Sequence, residues 1–61
     1  MTDLARSRII FIAQLHEAFL SKKGHGAFAY MNITDALLIF EDYLDSGEPI
    51  ESFCGRLARA A

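Results

Sequence analysis

The fold is decided by residues 4–24, which read LARSRIIFIAQLHEAFLSKKG. Apolar side chains recur there with the spacing of an α-helix, and two lysines followed by a glycine occupy positions 22–24. Cations suit the negative end of a helix dipole, and glycine accepts the left-handed backbone that often follows a helix. With Thr2 or Asp3 as the N-terminal cap, the pattern predicts one long helix over Thr2–Lys23.

The apolar face of this helix is wider than a single core contact requires. At about 100° per residue, one face collects Leu4, Phe11, Ile12, Leu15, Ala18 and Phe19. A further group widens that face and consists of Ile9, Ala13, His16 and Leu20, while Ile10 lies within the polar side and Arg8 interrupts the apolar arc. A helix that is apolar over more than half its circumference touches more than one neighbour. We therefore expect a second chain, most simply in a two-fold dimer, to contact Ile9, Ile10, Ala13 and Leu20.

Two shorter amphipathic helices are predicted after it. Asn32 is a good N-cap for a helix over Ile33–Asp45, which ends at the Ser46-Gly47 pair. The apolar stripe of this helix, which we expect to face the core, consists of Ile33, Ala36, Leu37, Phe40, Tyr43 and Leu44. A third helix is predicted over Pro49–Ala60, because proline suits the first position of a helix. Residues 27–31 are predicted to be an irregular or partly helical connection. The sequence therefore predicts an all-α fold, a single small three-helix domain over residues 1–61.

Composition limits how such a domain is stabilised. The chain has 61 residues, 52% of them hydrophobic, and a chain this short buries only about 60% of its unfolded surface. Cys54 is the one cysteine, so no internal disulfide is available. The apolar content excludes disorder, and the apolar runs are too short for a membrane span or a cleaved signal peptide. We expect a cytoplasmic protein without membrane contact that self-associates or binds a partner.

Charge is distributed unevenly along the chain. Residues 1–23 carry four bases against two acids, a net charge of +2, and residues 24–61 carry two bases against six acids, a net charge of −4. One interpretation is a solvated acidic face. The other is a docking surface for a basic or nucleic-acid-binding protein. In its extreme form, the acidic residues would mimic the phosphate backbone of a nucleic acid. The candidate residues of that surface are Leu38 as an apolar anchor and the acids Asp35, Glu41, Asp42 and Asp45.

No pattern of residues indicates a catalytic or metal-binding site. His16, His25 and Cys54 lack the spacing of metal ligands, and the acids around position 45 do not match a calcium-binding loop. Cys54 lies on an apolar stripe, which favours a buried structural thiol. No nucleophile has a base placed beside it. We therefore expect no catalytic residue, no metal and no cofactor, and we do not expect an enzyme.

Two function classes remain. The first is a small non-enzymatic regulatory or inhibitory protein that binds another protein, as phage- or plasmid-encoded inhibitors of host proteins do. The second is a dimeric DNA-binding regulator of helix-turn-helix type, built from the second and third helices. Glu48 and Glu51 stand at the start of the third helix, where they repel phosphate. We therefore expect a protein partner rather than nucleic acid.

Overall fold

The fold contains three α-helices and no strand in the part of the chain that the structure, a computed structural model, describes, residues 3–61. Helix α1 spans Asp3–Lys23, α2 spans Ile33–Ser46 and α3 spans Ile50–Ala60. A short 3₁₀ helix, Ala27–Ala29, connects α1 to α2. The predicted all-α class is confirmed, and the connection is partly helical as expected.

Local chemistry explains where the helices begin and end. At the start of α2, the Asn32 side chain accepts a hydrogen bond from the Asp35 backbone N–H (2.9 Å), and the Asp35 carboxylate accepts one from the Asn32 N–H (3.4 Å). This capping box satisfies two amides that the helix leaves without partners. Gly24 and Gly47 follow α1 and α2 with φ values of 81° and 71°. Both glycines are in the left-handed region, where a side chain is strained.

Two predicted boundaries differ slightly from the structure. Helix α2 continues one residue further, to Ser46, whose hydroxyl donates to the Tyr43 carbonyl (2.8 Å) and accepts from the Glu48 N–H (3.1 Å). Pro49 is the residue before α3 rather than its first residue, because its ψ of 145° is extended. Helix α1 begins at Asp3 in the described chain, and the alternative cap Thr2 lies outside the described residues.

The core is organised around the ring of Phe11 in α1. Its centroid lies 5.4 Å from that of Phe40, 5.0 Å from that of Tyr43 and 6.0 Å from that of Phe53. Phe40 and Tyr43 belong to α2 and Phe53 belongs to α3, so one side chain contacts both other helices. Aromatic pairs at such distances are stabilising beyond the area that they bury.

Helix α1 packs more extensively on α3 than on α2. Small side chains explain the first contact, because Cys54 and Ala58 of α3 are fully buried and Ala18 of α1 lies beside Cys54. Against α2, α1 meets the large rings of Phe40 and Tyr43. This contact is the smaller of the two, and its edge stays open beside Phe40.

More apolar residues are exposed than the sequence predicted on α1 and at Leu38. Within residues 3–61, ten large hydrophobic side chains are at least 36% exposed: Leu4, Ile9, Ile10, Leu20, Phe28, Tyr30, Ile33, Leu37, Leu38 and Leu44. Leu4, Ile33, Leu37 and Leu44 were expected in the core because they share helix faces with buried residues. That expectation is wrong, because each of these side chains is at least 36% exposed and lies at the edge of the helix contacts rather than between the helices.

Two leucines of α1 provide a matched test of this packing. Leu15 is fully buried and Leu20 is 45% exposed. We expect Leu15→Ala to lower the free energy of unfolding by about 2–5 kcal/mol, because it leaves a cavity. Leu20→Ala removes the same atoms from a surface site and costs less than about 1 kcal/mol. Urea unfolding followed by circular dichroism measures both, and equal losses would contradict the orientation of α1.

Candidate protein-binding groove

An open groove of about 410 Å³ lies between the first turns of α1 and one side of α2. Its lining residues are Leu4, Arg8, Thr34, Leu37, Leu38, Phe40, Glu41 and Leu44. Phe40 is 3% exposed and forms the floor, whereas Leu38 is 57% exposed and stands at the edge. The groove is therefore a concave apolar surface with a protruding leucine beside it.

Leu38 is surrounded by acidic residues on the surface of α2. Residues three and four positions away are neighbours on a helix. For Leu38 these neighbours are Thr34, Asp35, Glu41 and Asp42, and all four are exposed. Asp45 continues the acidic row one turn beyond Glu41. The predicted set of Leu38 and four acids thus lies on a continuous exposed surface of α2.

The rim of the groove carries charges of both signs. Arg8 of α1 and Glu41 of α2 both line it, and both residues are exposed. The one ion pair within residues 3–61 joins Arg56 to Glu48 at 2.6 Å. Neither Arg8 nor Glu41 is therefore neutralised by an ion pair inside the described chain, and the cations of α1 do not neutralise the acids of α2.

The remaining predicted contact residues form a second surface on the outer side of α1. Ile9 is 57% exposed, Ile10 is 50% exposed, and Ala13 and Leu20 are exposed as well. At about 100° per residue, these four lie roughly 100–160° around α1 from Arg8. The predicted residues are all exposed, but the structure divides them between two separate faces.

Of the eight residues that line the groove, the sequence placed only Leu38 and Glu41 on a binding surface. Leu4, Leu37 and Leu44 were assigned to the core, and Arg8 was noted only as an interruption of the apolar arc of α1. That interruption was the available signal, because an arginine on a core-facing arc indicates an open edge. The distance between α1 and α2 depends on the rings of the core, which periodicity does not reveal.

Helices α2 and α3 have the order of a helix-turn-helix motif, in which α3 would be the recognition helix. The first turn of α3, which would contact the DNA, carries no lysine or arginine. Glu48 and Glu51 lie beside the start of α3. Arg56 is held by Glu48, and its guanidinium lies 5.1 Å from the centre of the Phe53 ring. One of the two cations of α3 is thus engaged within the chain, and the remaining charges near its start are negative.

The thiol and the imidazoles are placed without catalytic partners. Cys54 is 1% exposed, and burial raises the pKa of its thiol from 9.0 to about 11, which keeps it protonated and unreactive at neutral pH. His16 is exposed and its ring covers Gly26, where an added Cβ would overlap the ring. Residues 3–61 contain no group of three histidine, cysteine or acidic side chains arranged to hold a metal.

Comparison with family models, curated proteins and solved structures found no match to this chain. None of the helices in residues 3–61 has the length and apolar character that crossing a membrane requires.

Burial of the Cys54 thiol makes the free energy of unfolding depend on pH in the alkaline range. Because the pKa of Cys54 is higher in the folded chain, its contribution to stability is complete below pH 9.0 and is lost as the pH rises toward about 11. We expect the unfolding free energy of the wild type to fall relative to that of Cys54→Ala over this range. Urea titrations of both proteins from neutral to alkaline pH measure the difference, and a constant difference would contradict the assignment.

Proposed function

We propose that this chain acts by binding another protein through the groove, as a small regulatory or inhibitory protein without chemistry of its own. The observation that carries the proposal is the placement of Leu38, a 57% exposed leucine beside an open apolar groove and among acidic neighbours. Protein interfaces commonly combine an apolar centre with a polar or charged rim. An exposed apolar surface lowers the solubility of a small protein, and a binding role explains why this chain has such a surface.

The chemistry of the groove favours a basic amphipathic helix as the segment of the partner that binds. The groove runs between two helices, and amphipathic helices commonly bind in such grooves through apolar side chains spaced by three or four residues. Leu4, Leu37 and Leu44 supply the apolar walls. Glu41 and Asp45 lie along one rim, where they would attract lysine or arginine flanking the apolar face of the partner.

The outer surface of α1 is a second candidate site for protein binding. Ile9, Ile10, Ala13 and Leu20 are exposed on a face that the groove does not include. A partner bound in the groove leaves this face free, so the chain has room for a second protein contact.

The proposal is tested by selecting helical peptides from a displayed library on the wild-type chain. We expect the enriched peptides to carry a net positive charge and apolar residues at helical spacing. Leu38→Ser should weaken their binding at least about tenfold, because truncation of an apolar anchor that becomes buried in a complex costs about 2 kcal/mol or more. The variant should retain its helicity, since Leu38 is a surface residue.

Phe28→Ser is the matched control, because Phe28 is 47% exposed on the 3₁₀ helix, outside the groove. It should bind the selected peptides as the wild type does. Enrichment of acidic peptides, or equal binding by the wild type and Leu38→Ser, would contradict the proposed site. A loss of helicity in Leu38→Ser would show instead that Leu38 is a core residue.

A further inference from the structure

We propose that the outer face of α1 binds the same face of a second copy of this chain, in a two-fold dimer whose two α1 helices run antiparallel. The apolar residues of this face are Ile9, Ile10, Ala13 and Leu20, and the charged residues Arg6 and Glu17 lie on the same side of the helix. All six are exposed. The face is separate from the groove, so the inference goes beyond the proposed function.

The outer face points away from the core and from the acids of α2. At about 100° per residue, its six residues fall within about 100° of one another around α1. Phe11, which packs on α2 and α3, lies about 160° around α1 from Ala13. Helix α2 therefore packs on the opposite side of α1. A dimer through the outer face does not bring the acidic surfaces of the two α2 helices together.

The charges of this face complement those of a second copy. Arg6 lies toward one end of the face and Glu17 toward the other, about 17 Å further along the helix. Neither has an ion-pair partner within residues 3–61. In an antiparallel two-fold pair, Arg6 of each copy faces Glu17 of the other. A parallel pair would place Arg6 against Arg6 and Glu17 against Glu17, so the charges favour the antiparallel arrangement and a second copy as the occupant.

The remaining charges near this contact are of mixed sign. Asp3 lies one turn before Arg6, and Lys22 and Lys23 lie beyond Glu17. Each end of the contact therefore combines Asp3 and Arg6 of one copy with Glu17, Lys22 and Lys23 of the other. The antiparallel arrangement also sets the N-terminus of each α1 beside the C-terminus of the other, where the helix dipoles attract.

The apolar residues lie between the two charge pairs. The register that joins Arg6 to Glu17 sets Ile10 of each copy opposite Ala13 of the other. Alanine is small enough for the helices to approach closely, and Ile9 and Ile10, which are 57% and 50% exposed in the single chain, would be buried. The contact is only one helix wide. It belongs to the small class of interfaces, so we expect a weak dimer that forms at micromolar to millimolar concentration.

The dimer would leave both grooves open, because they lie on the opposite side of α1 from the outer face. One dimer could therefore bind two segments of a partner at once. Binding at two linked sites is tighter than binding at one, since the second contact forms within a complex that already exists.

Charge reversal tests the antiparallel pairing. Arg6→Glu and Glu17→Arg each turn both cross-contacts into like-charge contacts. Sedimentation equilibrium at micromolar to millimolar concentration should show the dimer dissociation constant raised at least about fivefold for either variant. An equal mixture of the two variants should form heterodimers, because positions 6 and 17 then join opposite charges at both ends. The double variant should dimerise like the wild type for the same reason.

Arg8→Glu and Glu41→Arg are the matched controls, because they change the net charge by the same amounts on the groove side of the chain. Both should leave the dimer dissociation constant unchanged. A wild-type chain that stays monomeric at millimolar concentration contradicts the dimer, as does an equal rise of the dissociation constant in the controls. A mixture that associates no better than the separate variants contradicts the antiparallel pairing. The groove is tested separately, by the affinity of the selected basic peptides for Leu38→Ser.

Discussion

The contacts of the Phe11 ring are the interaction on which the rest of the structure depends. One side chain of α1 touches Phe40 and Tyr43 of α2 and Phe53 of α3, so it joins all three helices. Tyr43 and Phe53 also meet edge to face at 5.5 Å, which closes the cluster. A chain of 61 residues has little other core, because nine hydrophobic side chains are buried in the part of the chain that the structure describes.

The groove lies beside the same rings. Helix α1 packs more extensively on α3 than on α2, and the buried ring of Phe40 lies under the open edge between α1 and α2. Leu4 on α1 and Leu37 and Leu44 on α2 line this opening. A bound partner would bury the apolar surface that the core leaves exposed, which is a favourable change in water.

The helices and their ends could be predicted from the sequence because they depend on residues that are close together in the chain. The cap of Asn32 on Asp35 and the stop at Gly47 are local interactions, and both were foreseen in outline. The sequence also identified Leu38 as exposed, since its neighbours on the helix are acidic. It placed Leu37 and Leu44 wrongly, because periodicity identifies which side of a helix is apolar but not how close the neighbouring helix lies. That distance depends on Phe11 meeting rings of α2, a contact between residues far apart in the chain.

Binding of another protein in the groove between α1 and α2 is tested most directly by leucine methyl NMR during a titration with a basic peptide selected on the wild-type chain. The methyl resonances of Leu4, Leu37, Leu38 and Leu44 should shift together along one binding curve. Those of Leu15, which is fully buried in the core, should stay in place. Shifts centred on Leu20, on the outer face of α1, or the absence of any shift at saturating peptide would contradict a binding site in the groove.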